Sequence, residues 1–363
     1  MFRKWREWLL LAMSISATLL VAELFCRSAL PTPGFAALDE NWLPGAIRPH
    51  PRRMYELTPN FAKLFTGGTY KGMWLTTNAM GLREPPLERV ASSEVRILAL
   101  GDSFTFGTGI DREATWPVQL ERALMQRLPN RQLAIVNAGV PGYGLAQMRD
   151  MAEELLPQIK PQLLILAVYD GGFDRLLDPF IAVEDFAVRS SWAKRLRVVD
   201  GGVIISDHSP ALAPFDLWIK SHWHFGARVY DASYKLLKII RNLVFRRDSQ
   251  VNSDEAVALE AGLVEIGKLN KIAKNMGVPL LVLLVNSFDN NNKVNLAEKA
   301  NGESAKSFCV AEGIQVADPT AVLGDATEPL RLNESDNHWT TYANLKVAEF
   351  LTPYVIHLLK DKR

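Results

Sequence analysis

The sequence predicts an α/β protein whose main part is a three-layer α/β/α sandwich with a mostly parallel, five-stranded sheet. From residue 94 onward, five short apolar runs alternate with segments of helical spacing. The first of these runs, "VRILALG", is continuously apolar, as is typical of a strand covered on both faces. Strands separated by helices favour parallel pairing with helices on both sides of the sheet.

Each element follows from its own pattern of residues. The five predicted strands are "VRILALG", "RQLAIVNAG", "QLLILAVYD", "VPLLVLLVN" and "IQVADPT". The predicted helices are "ATWPVQLERALMQRLP", "LAQMRDMAEELLPQIKP", "SDEAVALEAGLVEIGKLNKIAKNMG", "EKANGESAKSFCVAEG" and "TTYANLKVAEFLTPYVIHLLK". In such sheets, functional sites lie at the carboxyl ends of the strands. The search for a site therefore begins with the residues that follow each strand.

The first 30 residues predict a membrane anchor. Arg3, Lys4 and Arg6 precede the apolar run "LLLAMSISATLLVAELF", which has about 17 residues, against the roughly 20 that span a bilayer. The alternative is a cleaved signal peptide, but no convincing A-x-A cleavage site follows. Basic residues before the span predict a cytoplasmic N-terminus. We therefore expect a single-pass inner-membrane protein whose main domain lies in the periplasm or outside the cell.

Two segments depart from the alternating pattern. Residues 31–93, rich in Pro, Arg and aromatics, predict a tether and a small extended subdomain before the domain at 94–363. Residues 175–250 predict an insertion, with a hairpin in "LRVVDGGVIISD" and helices from "PFDLWIKSH" onward. We expect this insertion to cap the carboxyl edge of the sheet. Its basic and aromatic character fits either a packed, solvated cap or a lid that touches a membrane surface or an acidic glycan.

Composition removes several classes of function. The chain of 363 residues has 41 Lys and Arg against 40 Asp and Glu, a balance that gives no reason to expect a nucleic-acid partner. Two cysteines, Cys26 and Cys309, provide neither a disulfide framework nor a zinc cluster. One further group of possible zinc ligands is Asp207, His208, His222 and His224. Its i, i+2 histidine pair diverges on a helix, so no metal is expected.

One set of residues fits nucleophilic catalysis. Ser103 follows the first strand in "GDSFTFG", and of the six histidines His338 lies in the loop between the fifth strand and the last helix. Asp336, two residues earlier, can orient the His338 imidazole and stabilise its charged form. Gly142 in "NAGVPGYG" follows the second strand, and its N–H, with that of Ser103, is a candidate oxyanion donor.

In this order, "GDSFTFG", "NAGVPGYG" and "DNHW" resemble the SGNH (GDSL-type) hydrolase superfamily over residues 94 to about 360, with the insertion left out. The resemblance implies a flavodoxin-like sheet, no cofactor and no metal. It also implies Ser103 as nucleophile, Gly142 as oxyanion donor, and Asp336 and His338 as carboxylate and base. Many family members space the last pair as Asp-x-x-His, whereas Ser335 stands at that position here.

The third family block departs further. There the family usually carries an Asn whose amide completes the oxyanion hole, but this chain has "LAVYDGGFDR", with Asp170 or Gly171 at the position. Loss of one such donor typically lowers turnover about a hundred- to a thousandfold. Three alternatives remain: two backbone donors suffice, Asn286 after the fourth strand substitutes, or the chain is a weak or inactive esterase.

The sequence thus predicts a serine esterase that cleaves a small acyl group, acetyl-like, from an oxygen ester. The expected partners are an acyl-ester small molecule or an O-acylated cell-envelope or exported polysaccharide, and the membrane through the N-terminal helix. One alternative is an O-acyltransferase of envelope glycans, which differs only in what attacks the acyl-enzyme. The other is a catalytically weak scaffold or glycan-binding protein on the same fold.

Overall fold

The computed structural model describes residues 2–360 except 31, 34, 38–42, 44, 51, 68–69, 84–85, 177–179, 184–185, 190–194, 200–201, 207–210, 245–250 and 295. The chain forms two compact units. Unit 1 comprises Met1–Pro44 and Asp178–Gln250, and unit 2 comprises Gly45–Leu177 and Val251–Arg363.

The elements are numbered along the chain. The helices are α1 Phe2–Ala29, α2 Leu87–Ser92, α3 Ser103–Phe106, α4 Trp116–Arg127, α5 Leu145–Ile159, α6 Ala213–His222, α7 His224–Val244, α8 Val251–Asn275, α9 Leu296–Ala311, α10 Thr320–Gly324 and α11 Thr341–Lys360. The strands are β1 Phe35–Ala37, β2 Ile47–His50, β3 Met54–Leu57, β4 Ala62–Leu64, β5 Trp74–Thr76, β6 Val95–Gly101, β7 Leu133–Gly139, β8 Leu163–Tyr169, β9 Phe180–Val183, β10 Phe186–Arg189, β11 Arg195–Val199, β12 Gly202–Ser206, β13 Leu280–Val285, β14 Gln315–Ala317, β15 Arg331–Asn333 and β16 Asp336–Trp339. Short 3-10 helices occupy Arg112–Ala114 and Asp170–Leu176.

Unit 2 is built on a five-stranded sheet in the order β14-β13-β8-β6-β7. Every neighbouring pair in it is parallel. The predicted α/β fold with a five-stranded parallel sheet is therefore confirmed, and each predicted strand is present. The loops after β6, β7 and β8 leave the sheet at one edge, because parallel strands end on the same side.

The apolar runs of the strands are explained by cover on both faces. Ile97 and Ala99 of β6 belong to a buried cluster that includes Trp116 of α4 and Leu351 of α11. Leu98 is also fully buried, and its side chain points to the opposite face because side chains alternate along a strand. On that side α5 packs against β6 and α8.

The segment predicted as a tether divides differently in the structure. Residues 45–93 belong to unit 2, where they form the antiparallel pairs β2–β3 and β4–β5 and helix α2. Tyr55, Leu57, Leu75 and Leu82 are buried there, so this part is packed rather than extended in solvent. Strand β1 instead pairs with β12 in unit 1. The predicted 31–93 segment is therefore split at residues 44 and 45.

Unit 1 contains the N-terminal helix and the predicted insertion. Its first helix includes Lys4–Ala29, 26 residues that contain an 18-residue window with a mean hydropathy of 2.1. By length and composition this helix could cross a membrane as an anchor or act as a signal sequence. The predicted hairpin is present as β11–β12, with Val199 opposite Gly202; its turn residues lie outside the described residues. The long helical segment breaks at Trp223 into α6 and α7. A capping position over the sheet stays a prediction.

Candidate active site

Ser103 stands at the carboxyl edge of the sheet because β6 ends in a Gly-Asp turn. Asp102 caps the short helix α3, and its side-chain oxygen accepts a hydrogen bond of 3.0 Å from the Phe104 N–H. Ser103 is the first residue of α3 and is 7% exposed. The turn thus holds the serine just below the surface, at the end of a buried strand.

Asp336 and His338 form the pair that the sequence predicts. They lie on β16 of an antiparallel hairpin with β15, in place of the predicted open loop. His338 Nδ1 is 2.6 Å from Asp336 Oδ1, and the His338 backbone N–H donates to the same oxygen at 3.1 Å. Burial raises the pKa of Asp336, but these hydrogen bonds outweigh it and hold that pKa below its ordinary range. An ionised Asp336 favours the tautomer with a proton on Nδ1, which leaves Nε2 to act as a base.

The structure brings the base and the serine turn together through Phe104. Its ring lies 5.0 Å from the His338 ring and 5.3 Å from that of Trp339, between ring centroids. On another side it meets Tyr169, the last residue of β8, at 4.9 Å. Within the described part of the chain, no hydrogen bond joins Ser103 Oγ to the His338 ring. In unliganded sites, catalytic hydrogen bonds are often long or poorly aligned, and they tighten only when substrate binds.

The loop after β7 supplies the second predicted oxyanion donor. Gly142 has φ of 79°, a conformation that favours glycine. Among the described residues, the N–H groups of Gly142 and Ser103 donate to no protein acceptor. Tyr55 Oη donates to the Pro141 carbonyl oxygen at 2.6 Å, and that carbonyl belongs to the same peptide group as the Gly142 N–H. This bond fixes the peptide plane and polarises its N–H as a donor.

Tyr55 is itself held by buried polar groups. The Tyr143 hydroxyl donates to the Tyr55 carbonyl oxygen, and burial raises the pKa of Tyr143 well above its ordinary value. Arg53 donates to Tyr143 Oη at 3.3 Å and to Glu56 at 2.9 Å, and it also pairs with Glu154. The loop that carries Gly142 is therefore tied to β3 by a network that no sequence pattern indicates.

Asp170, one of the candidates for the third oxyanion donor, packs beside helix α9. It is fully buried directly after β8, and a Cβ placed on Gly302 of α9 would lie 2.7 Å from its Oδ1. Asn301 of the same helix donates to the Asp170 carbonyl at 3.3 Å. The carboxylate therefore faces α9 and fills the space that Gly302 leaves. A Cβ on Gly171 would meet the Tyr169 hydroxyl at 2.7 Å, and neither residue offers an amide.

Asn286 is also engaged elsewhere. It follows β13, and its amide nitrogen donates to the Thr320 hydroxyl. Its carbonyl oxygen accepts a hydrogen bond of 3.1 Å from Trp339 Nε1. Asn286 thus supports the residue beside His338 through its backbone, and one N–H of its side-chain amide is used on Thr320.

Arg83 is the most informative residue that sequence reasoning missed. Fully buried, it donates to the carbonyl oxygens of Phe106, Gly107 and Ile110 at 2.6, 2.8 and 2.7 Å. Its guanidinium lies 4.8 Å from the Phe106 ring centroid. Asn137 of β7 holds the Thr105 carbonyl at 2.8 Å. The backbone that follows Ser103 is pinned from both sides, and nothing in "MGLRE" distinguishes Arg83 from a surface arginine.

Among the described residues, no group of three or more His, Cys, Asp and Glu side chains is arranged to hold a metal ion. Of the four ligands weighed from the sequence, Asp207 and His208 lie outside the described residues. His222 and His224 belong to α6 and α7, and His222 Nδ1 is 2.8 Å from the Trp218 carbonyl oxygen.

Comparison with known proteins gives structural neighbours only, since no protein-family model matches the sequence and no curated protein matches it. A lipolytic protein of the G-D-S-L family from Desulfitobacterium hafniense is 17% identical, with 72% of this chain and 99% of that one covered and a TM-score of 0.41. A catalytic mutant of the acetylxylan esterase Axe2 from Geobacillus stearothermophilus is 12% identical, with 72% and 94% covered and a TM-score of 0.42. TesA is 14% identical, with 72% and 99% covered and a TM-score of 0.41. The structural neighbours are thus GDSL-type lipolytic proteins and esterases, and at these identities and TM-scores the chain's own chemistry rests on its site residues.

Proposed function

We propose that this chain is a membrane-anchored serine ester hydrolase of SGNH type, with Ser103 as nucleophile. The observation that carries the proposal is the Asp336–His338 pair, hydrogen-bonded at 2.6 Å and packed through Phe104 onto the serine turn. A nucleophile needs a base that is itself oriented by a third group, and this pair is such a base.

In the first half of the reaction, His338 Nε2 takes the proton of Ser103 Oγ as that oxygen bonds to the acyl carbon. The carbonyl electrons move onto oxygen, and the N–H groups of Ser103 and Gly142 stabilise the resulting charge. The intermediate collapses, the ester C–O bond breaks, and the alcohol leaves with the proton from His338. An acyl group then remains on Ser103.

In the second half, water attacks the acyl carbon and gives a proton to His338. The bond to Ser103 Oγ breaks, the carboxylic acid leaves, and the proton returns to Ser103. An acceptor hydroxyl in place of water would make the same site an O-acyltransferase. No contact in the described residues favours the transferase over the hydrolase.

The substrate class follows from the chemistry and the anchor. We assign a small, acetyl-like acyl group on oxygen, carried by a small molecule or by a cell-envelope or exported polysaccharide. The N-terminal helix would hold the domain at the inner membrane with the site in the periplasm or outside the cell, because basic residues precede the span. No cofactor takes part in this mechanism.

The test is labelling of the full chain, in detergent, with a serine-directed fluorophosphonate. The parent and a Ser307→Ala control, whose serine lies on α9, should be labelled equally, and Ser103→Ala should lose the label. A panel of nitrophenyl esters of increasing chain length would then show whether short acyl groups are preferred. A folded parent that takes no label contradicts the hydrolase proposal.

A second candidate is a scaffold or glycan-binding protein on this fold. It is favoured by two observations: Ser103 Oγ makes no hydrogen bond to His338 among the described residues, and β8 is followed by Asp170 in place of an amide donor. This candidate predicts retention on an acetylated glycan column without turnover, unchanged by Ser103→Ala.

A further inference from the structure

Helix α6 in unit 1 carries its charges inside and its aromatic side chains outside. Asp216 is 0% exposed and Lys220 is 4% exposed, whereas Phe215 is 49% and Trp218 is 50% exposed. Lys220 Nζ lies 3.1 Å from Asp216 Oδ2 and 3.5 Å from Asp231 Oδ1 of α7. A helix that faces water shows the opposite arrangement.

The exposed aromatic side chains form one ordered surface, here called the aromatic face. It consists of Phe215, Trp218 and His222. Ring centroids are 6.1 Å apart for Phe215 and Trp218 and 5.4 Å apart for Trp218 and His222, both pairs being stacked. Trp223 is exposed as well. An exposed, contiguous apolar patch of this kind marks an interaction site.

The position of this face is fixed by contacts with α1 inside the same unit. Glu23 accepts hydrogen bonds from the backbone N–H groups of His224 at 3.0 Å and Phe225 at 2.7 Å. Arg27 donates to the His222 carbonyl oxygen. The junction of α6 and α7 is therefore held against the last two turns of the apolar span Lys4–Ala29.

The dimensions of α1 place that junction at a membrane boundary. Trp5 and Trp8 are exposed near the other end of the helix. Trp5 precedes Arg27 by 22 residues, about 33 Å along an α-helix, and the hydrocarbon core of a bilayer is about 30 Å thick. Tryptophan is enriched at both membrane boundaries. Trp5 and Trp8 would mark one boundary, and the aromatic face the other.

We infer that the aromatic face is a membrane-contact surface, which lies in the interfacial layer of the leaflet where α1 ends. Its partner is the lipid bilayer itself. The stacked rings would enter the headgroup and upper acyl region, while Lys220 neutralises Asp216 beneath them, away from lipid. The exposed Lys235 of α7 would meet anionic headgroups. This inference does not depend on the chemistry of Ser103.

The experiment uses the full chain in vesicles of phosphatidylcholine and phosphatidylglycerol, with a nitroxide spin label on single introduced cysteines. Both native cysteines are buried, and the unsubstituted chain reports their background. Phe215→Cys and Trp218→Cys probe the aromatic face. Leu20→Cys on α1 is the lipid-facing reference, and the exposed Gln126→Cys on α4 is the water-facing one. Collision with oxygen, which partitions into lipid, is compared with collision with a water-soluble nickel chelate.

The inference expects oxygen to dominate at positions 215 and 218, as at position 20, with the ratio inverted at position 126. Nickel dominance at 215 and 218 alongside oxygen dominance at 20 overturns it. Labels at 215 and 218 that are immobilised and shielded from both reagents also overturn it, in favour of a second copy of the chain. Nickel dominance at position 20 overturns it too, because α1 would then not lie in the bilayer.

Discussion

The two units of this chain bury cations for opposite purposes. In unit 2, Arg83 is buried to hold three backbone carbonyls after Ser103. In unit 1, Lys220 is buried against Asp216 while Trp218 beside it is exposed. The first arrangement fixes the backbone that follows Ser103, and the second keeps charge away from the exposed face of α6. A buried charge is therefore informative only when its partners and the opposite face are known.

The largest effect should come from the proposed catalytic pair, Asp336 and His338, in unit 2. His338→Ala should lower kcat for ester hydrolysis by about 10⁴- to 10⁶-fold, and Asp336→Asn by about 10⁴-fold, because the base or its orientation is lost. The measurement is steady-state hydrolysis of a nitrophenyl ester by the full chain. The double variant should be no worse than His338→Ala, and additive losses would contradict a shared role.

The corresponding test in unit 1 concerns stability. Lys220→Met leaves Asp216 buried without its cation, so the free energy of unfolding should fall by on the order of 3 kcal/mol. Trp218→Ser, on the exposed face, should change it by less than about 0.5 kcal/mol. Thermal unfolding in detergent checks both variants. The reverse order would mean that α6 buries its aromatic side and exposes its charges.

A third test asks whether the Asp170 side chain fills the space beside Gly302 of α9. Gly302→Ala places a Cβ 2.7 Å from Asp170 Oδ1, and the free energy of unfolding should fall by about 1–3 kcal/mol. The matched control is Gly267→Ala on α8, where the new Cβ meets only the end of the Phe308 ring at 3.4 Å. There the substitution should be neutral or stabilise by up to about 1 kcal/mol. Equal effects would show that Asp170 does not fill the space beside α9.

The support for Gly142 should have a smaller effect. Tyr55→Phe removes one hydrogen bond, worth about 1 kcal/mol, so kcat should fall about fivefold with KM unchanged if the Gly142 N–H acts in the transition state. Tyr354→Phe on α11 is the control and should leave both constants unchanged. A rise in KM at constant kcat would instead assign Tyr55 to substrate binding.

The smallest effect concerns acid stability. Because the pKa of Asp336 is lowered in the folded chain, the ionised carboxylate stabilises the fold at pH values above its unfolded pKa of about 4. That contribution is lost as the pH falls through the lower folded pKa. Between pH 5 and 3, the Tm of the parent should therefore fall more steeply than the Tm of Asp336→Asn. Parallel curves would show that the pair adds no pH-dependent stability.

The sheet was predictable because its strands are continuous apolar runs such as β6 and β13, which only a doubly covered sheet accommodates. The positions of Ser103, Asp336 and His338 were predictable for a related reason, since residues after parallel strands meet at one edge. Two local details differ from the prediction. Helix α9 begins and ends two residues earlier than its pattern indicates, and Asp336 and His338 lie on a hairpin strand in place of a loop. A glycine inside a helix ordinarily weakens it, whereas Gly302 leaves the space beside α9 that Asp170 fills.

The supports of the site could not be predicted, because they depend on contacts between residues far apart in sequence. Tyr55 reaches Pro141, and Arg83 reaches Ile110, through side chains whose targets are backbone carbonyls. A carbonyl carries no sequence signal, so its partner is invisible until the fold is known. For the same reason the inverted pattern of α6 could not be separated from an ordinary amphipathic helix with aromatic residues.

Arg83 also affects where the gene can be cut if Ser103 and the residues that hold its backbone are to stay in one fragment. The α/β alternation begins at residue 94, and a gene fragment cut there would carry every catalytic residue proposed for the reaction. That fragment would lack the arginine that holds the turn after Ser103 and the tyrosine that holds the Pro141–Gly142 peptide. A crossover between relatives at residue 94 would therefore separate the proposed nucleophile from the residues that hold its backbone, whereas a crossover before residue 45 would keep them together.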